Sequence, residues 1–179
     1  MMRAETAGNR RGELTVGAGY MGAESNSPPG SCGCFVLHGG FADAGWGLGR
    51  GFDGVVQVAG SHSGLVPGSL RGLSMITLMG GPRYSHGIGR GLRMEEHAFF
   101  GAIRGFDAEF RRGENAADTV TRASMAFGGS LLLPLGRLWI RGPQVEYLST
   151  RLPNEGNNHQ NIVRFGVGIV LQIGSGVRR

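Results

Sequence analysis

The chain has 179 residues, with 18 basic and 13 acidic side chains and a formal charge of +5, enough for one domain and too few for two ordinary ones. Its 35 glycines, against a usual level of roughly 7 %, exclude an ordinary helical domain, because each interior glycine costs a helix about 1 kcal/mol relative to alanine. With no Gly-X-Y period and 40 % hydrophobic residues, neither a collagen helix nor a disordered glycine-rich linker fits. The basic residues are all arginines and are spread along the chain, so nothing indicates a nucleic-acid partner.

Taken in chain order, the segments alternate with period 2. Residues 13–23 place Leu14, Val16, Ala18 and Tyr20 on one face, and Glu13, Thr15, Gly17 and Gly19 on the other. Residues 34–44, 52–61, 70–84 and 93–107 are further strand candidates whose glycines blur the pattern. Residues 121–131 set Ala123, Met125, Phe127 and Leu131 against Arg122, Ser124, Ala126, Gly128 and Ser130. In residues 139–150, Val145 and Tyr147 oppose Gln144 and Glu146. The last stretch is the clearest: Phe165, Val167, Ile169, Leu171 and Ile173 share a face, opposite Arg164, Gly166, Gly168, Val170 and Gln172.

Eight strands are thus predicted. Their connections run long, short, long, short, long, short, long. The long ones (ESNSPPGSCG, SHSGLVPGS, AEFRRGENAADT, RLPNEGNNHQ) are polar; the short ones, around GWGLGR, SHGIGRG and PLGR, carry Gly and Arg. An up-and-down barrel whose loops and turns face different compartments produces this rhythm.

A soluble barrel turns its bulky apolar residues inward, and a membrane barrel turns them to lipid. A face of Gly, Ser, Ala, Gln and Arg makes a poor water-facing surface but suits a narrow lumen. Strands of about 11 to 15 residues exceed the usual five or six and match a tilted crossing of a bilayer. Tyr20, Trp46, Tyr84, Trp139 and Tyr147 fall toward strand ends, as an interfacial girdle requires. No apolar run approaches the length of a spanning helix; the best are residues 131–135 and 168–173.

The segments GGPRYS (80–85), FFGAIRG (99–105), PQVEYLSTR (143–151) and N-x-x-R-F-x-x-G-I-V (161–170) resemble those of the small bacterial outer-membrane β-barrel proteins, the OmpA-like and OmpX-like eight-stranded kind. The resemblance covers about nine tenths of the chain and implies an all-β fold, an eight-stranded antiparallel up-and-down transmembrane β-barrel in the bacterial outer membrane. It divides the chain into a flexible periplasmic lead (1–12), a barrel domain (13–174) and a short tail (175–179). Three features depart from the family pattern. The polar opening MMRAETAGNRRGE lacks the apolar core of an export signal. The last strand ends in Ile173 rather than an aromatic residue. Pro82 and Pro143 fall inside strands, where bulges or edge-like spots are expected.

Phe127, Val145, Tyr147, Phe165, Val167, Ile169 and Leu171 are assigned to lipid, and Arg122, Gln144, Glu146 and Arg164 to a luminal polar network, with Glu146 pairing to Arg164 or Arg122. No catalytic, cofactor or metal site is assigned. Cys32 and Cys34 form a C-x-C without a second pair, and His38 lacks the spacing partners of a zinc site. The Gly45–Gly51 and Gly87–Gly91 runs are turns rather than phosphate loops, since no helix follows either. In Ser61-His62-Ser63, adjacent residues point to opposite faces, so His62 serves neither serine without a bend. The expected role is non-enzymatic: structural, adhesive or surface-interacting. Outer-membrane lipid is the surround, and lipopolysaccharide or a surface partner is met through the long loops, with Arg111 and Arg112 as candidate contacts. The chain is expected to be a monomer. A soluble lipocalin-like carrier of a small apolar ligand and a lipid-modifying hydrolase are the alternatives.

Overall fold

Each alternating stretch forms a strand in a computed structural model, and each strand pairs antiparallel with its neighbours in sequence: β1 (Leu14–Asn26), β2 (Cys34–Gly49), β3 (Phe52–Ser63), β4 (Leu73–Gly89), β5 (Leu92–Arg112), β6 (Asn115–Leu135), β7 (Leu138–Thr150) and β8 (Gln160–Ile173). The structure describes residues 11–26, 34–67, 71–112, 115–136, 138–153 and 159–173. Residues 1–10 of the expected lead, the tail 175–179, Cys32 and the side chains of Cys34, Arg111 and Arg112 lie outside them. β1 closes on β8 from Leu14↔Ile173 to Ser25↔Ile162, so the wall has no free edge and every strand of the barrel has two partners.

One end of the barrel carries the short turns and both ends of the strand circuit; the other carries the longer connections. The turns at Gly49-Arg50-Gly51 and Gly89-Arg90-Gly91 follow one design. Arg50 and Gly51 (φ 56 and 86) and Arg90 and Gly91 (φ 52 and 79) are all left-handed, the pair of positive φ values that a two-residue hairpin turn demands. Residues 45–49, which the sequence reading placed in a turn, are the end of β2.

The long-loop expectation fails between β5 and β6. The ladder continues through Phe110↔Ala117, Arg111↔Ala116 and Arg112↔Asn115, after a bulge between Phe106 and Phe110 that opens on left-handed Asp107 (φ 64). AEFRRGENAADT is therefore largely hairpin. It lacks alternation because it stands beyond the lipid-facing belt, where no single face has to be apolar.

The two prolines behave differently. Pro143 sits in a bulge where Arg141↔Gly168 gives way to Gln144↔Gly166, so residues 142 and 143 oppose one partner. Pro82 lies in register opposite Gly54, and pairing to β5 resumes at Arg83↔His97 after Gly80↔Phe100; no bulge forms there.

The outer face is apolar. Phe127, Val145, Phe165, Val167, Ile169 and Leu171 are 39 % (Leu171) to 55 % exposed and Tyr147 is partly exposed, with Val56, Val58, Leu78 and Phe100 continuing the band. Contiguous apolar surface of this extent has no stable contact with water. The soluble-carrier alternative requires the opposite arrangement, and it fails on these residues.

Candidate functional site

Inward positions are odd in β1 to β4 and in β5 up to its bulge at Asp107, and even in β6 and β8. β7 changes parity. Below the Pro143 bulge, Trp139 and Arg141 face in; above it, Gln144, Glu146, Leu148 and Thr150 do. Trp139, expected in the outer girdle, is therefore luminal. Its Nε1 donates to Gln172 at 3.0 Å and the Arg93 guanidinium lies 4.2 Å from its ring centre, across the mouth at the turn end.

Above this mouth lies a layer of buried charge. Arg83 reaches Asp43 at 3.0 Å, Asp53 at 3.1 Å and Glu95 at 3.5 Å. Its Nη2 also donates to Thr15 at 2.7 Å. Arg141 bridges Asp43 and Glu95, the latter at 3.2 Å, and Ser130 donates to Glu95. Two glycines make the room. A Cβ at Gly45 would stand 2.6 Å from Thr15 Oγ1 and 2.7 Å from Arg83 Nη2, and one at Gly17 would stand 2.6 Å from Asp43 Oδ2.

One step further from the turns, Glu146 receives Arg164 at 3.0 Å and His97 at 2.9 Å. Gln144 is buried beside the lower layer, among the residues that line a gap of about 10 Å³ with Arg83, Glu95 and Arg141. That volume holds about one water. Among the described residues, the inward charges of the two layers with Arg93 comprise four arginines and four carboxylates, so the lumen is close to neutral, as burial requires.

Arg122 does not join Glu146. It faces Ile103 across β5–β6, whereas Glu146 is level with Gly128. Six residues of strand, roughly 20 Å at ~3.3 Å each, separate the two levels, and Arg122 Nη1 donates to the Thr121 carbonyl instead.

The sequence reading missed Asp43, Asp53, Arg83, Glu95, His97 and Arg141. Their signal was present: ionisable residues on the small face of long strands are costly in a membrane protein and stand in pairs. The glycines of β2 to β5 blurred that face, and the parity switch at Pro143 hid Arg141.

The other half of the lumen is mostly apolar, with hydroxyls such as Thr77, Ser124 and Thr150 among the buried apolar side chains, which corrects the expectation of a small and polar interior throughout. Two residues toward the loops, four of these positions give way to apolar ones: Asp43 to Phe41, His97 to Phe99, Glu146 to Leu148, Arg164 to Ile162. Leu37, Met75, Met79 and Ile103 complete a packed apolar plug. Val170, assigned by parity to the polar face, is inward and buried.

On the outer wall, His62 faces away from Ser61 and Ser63, which are buried inside. It does find a hydroxyl, but on the next strand: His62 Nδ1 lies 2.8 Å from Ser74 Oγ. Among the described residues no group of three or more His, Cys, Asp or Glu is disposed to hold a metal ion.

A closed eight-stranded barrel with a lipid-suited exterior and a side-chain-filled interior is the architecture of the small outer-membrane barrels. No protein-family model and no curated protein matches the sequence. Solved structures do match. Neisserial surface protein A is 13 % identical at a TM-score of 0.66, over 91 % of this chain and 100 % of that one. Ail, the attachment invasion locus protein of Yersinia pestis, is 15 % identical at 0.61, over 91 % and 99 %. The outer membrane protein OprG from Pseudomonas aeruginosa is 9 % identical at 0.54, over 96 % and 100 %. At these identities the likeness is one of fold, and the fold is that of the small eight-stranded outer-membrane β-barrels.

Proposed function

We propose that this protein is a monomeric integral outer-membrane barrel that acts through its extracellular rim, as a surface-interaction or adhesive protein, and neither conducts solutes nor catalyses a reaction. In outer-membrane barrels the short turns are periplasmic, which puts the apolar plug and the β5–β6 hairpin on the outside. That hairpin carries the reading. β4 last pairs with β5 at Ser74↔Phe106, and β7 first pairs with β6 at Ser124↔Thr150. Among the described residues, 116–123 of β6 therefore have strand partners on β5 alone, and the hairpin stands beyond the closed wall as a surface that a partner can reach.

Two further observations support it. The lumen is filled by ion pairs below and apolar side chains above, which leaves no path for a solute. Ail, similar in fold, has been crystallised in complex with the heparin analogue sucrose octasulfate, so a barrel of this fold can take a sulfated ligand. For this chain the partners are outer-membrane lipid around the wall and lipopolysaccharide or a sulfated surface glycan at the rim. The test compares the protein in lipid nanodiscs with a variant whose hairpin is cut back between Phe106 and Thr119. The full-length form should bind immobilised heparin or lipopolysaccharide, and the shortened form should lose at least tenfold in affinity while remaining a folded barrel. Equal binding by both, or steady ionic conductance of the intact protein in planar bilayers, would contradict the reading.

A further inference from the structure

The outer wall near the extracellular rim carries a row of polar side chains that neither the lumen nor the hairpin uses. His38 of β2 stands directly opposite His62 of β3, and His62 directly opposite Ser74 of β4. Both imidazoles are exposed. Directly opposed residues on one face have Cβ atoms about 4.5–5.5 Å apart, which brings two imidazoles within reach of one ion.

The hydrogen bonds fix what His62 offers. Ser74 Oγ donates to Asp107 Oδ2 at 2.7 Å and lies 2.8 Å from His62 Nδ1. A carboxylate only accepts, so the single hydroxyl proton of Ser74 is committed to Asp107. Ser74 Oγ then accepts from the Nδ1–H of His62, and the proton of the neutral ring is on Nδ1. Its Nε2 keeps a lone pair and has no partner among the described residues. His38 is divided in the same way. Its Nδ1 is bonded to Tyr20 Oη, which can accept a proton from it, and its Nε2 also lacks a partner among the described residues.

An imidazole whose second nitrogen donates to an oxygen, with a carboxylate behind that oxygen, is the arrangement that orients histidine toward a metal and raises its basicity. The row also stands at the right height. His62 is about ten residues up β3 from the periplasmic turn, roughly 25 Å along the barrel axis for a tilted strand, which is the height of the apolar belt. Water can therefore reach the pair and complete a coordination shell.

We propose that His38 and His62 form a two-imidazole site on the outer wall for a late first-row divalent metal ion, with Tyr20 and the Ser74–Asp107 pair holding the two rings. Among such ions copper(II) binds most tightly, which makes it the probe of choice. It revises the expectation that the chain has no metal site; spacing along the sequence could not reveal it, because the two ligands meet across strands.

The experiment titrates copper(II) alone into the folded protein in detergent micelles, with Cys32 and Cys34 replaced by serine because thiols bind and reduce copper(II), and with calorimetry for affinity and electron paramagnetic resonance for the ligands. A variant carrying both His38→Ala and His62→Ala defines the background from the other histidines and the amino terminus. The intact protein should bind one equivalent more than this variant, with two nitrogen ligands in the spectrum. Each single substitution should weaken that equivalent at least tenfold. Ser74→Ala, which keeps both imidazoles, should weaken it about 10- to 100-fold. All three substituted positions face outward from the ladder, and heat-modifiable migration on gels checks that each variant folds. Identical titrations of the intact protein and the double variant, or full affinity in either single histidine variant, would overturn the site. Unchanged affinity in Ser74→Ala would overturn the role of the Ser74–Asp107 pair.

Discussion

In the periplasmic half of the lumen, Arg83 and Arg141 hold Asp43, Asp53 and Glu95 together, and Arg164 and His97 hold Glu146; in the extracellular half Leu37, Met79, Phe99, Ile103, Leu148 and Ile162 fill the same cross-section with no ion pair among the described residues. Both halves close the barrel, but by different physics. The charged half depends on matched partners, because a buried charge that loses its partner costs several kcal/mol while a whole pair replaced by apolar groups can be neutral or stabilising. The apolar half depends on volume, and its losses scale with the cavity left behind. The boundary between them is only two residues thick on each strand, so neighbouring inward positions should answer substitution in opposite ways.

The largest effect belongs to Arg83→Leu, which leaves three carboxylates short of a cation. It should destabilise the folded barrel by about 3–5 kcal/mol, read from the urea midpoint in micelles or vesicles. Glu146→Leu should cost about 3 kcal/mol by stranding Arg164. Adding Arg164→Leu to it should recover much of the loss, a coupling that a double-mutant cycle measures directly; additive losses would mean that the pair is not a unit. In the apolar half, Leu37→Ala or Ile103→Ala should cost about 2–4 kcal/mol with no rescue from any charged partner. The smallest effect is at Arg122, whose side chain meets a main-chain carbonyl and, among the described residues, no carboxylate. Arg122→Leu should shift stability by no more than about 0.5 kcal/mol, and a loss as large as that of Glu146→Leu would return it to the network.

The same two halves mark what the sequence makes legible. Strand number, order and faces were readable because the lipid belt imposes period 2 on every strand that crosses it, most cleanly in β8, where Phe165 to Ile173 alternate with small or polar residues. Gln144, Glu146 and Arg164 could be placed inside for the same reason. Outside the belt the signal lapses: the β5–β6 hairpin has no apolar face to maintain, and it read as a loop. Inside the lumen the signal is ambiguous, since an inward position accepts either Asp43 with two arginines or Leu37 among other apolar groups, and which of them occurs depends on partners from distant strands. The bulge at Pro143 reversed parity within β7, which put Trp139 and Arg141 inside where a uniform strand would have left them facing lipid.

The most direct test asks what wets the outer row. A nitroxide label at Val167→Cys, with Cys32 and Cys34 replaced by serine, reports collisions with molecular oxygen, which concentrates in hydrocarbon, and with a water-soluble nickel chelate, which does not. In lipid vesicles the label should be highly accessible to oxygen and shielded from the chelate. A label shielded from both, as in a protein interior, or open to the chelate, as in water, would contradict the barrel's placement in a membrane.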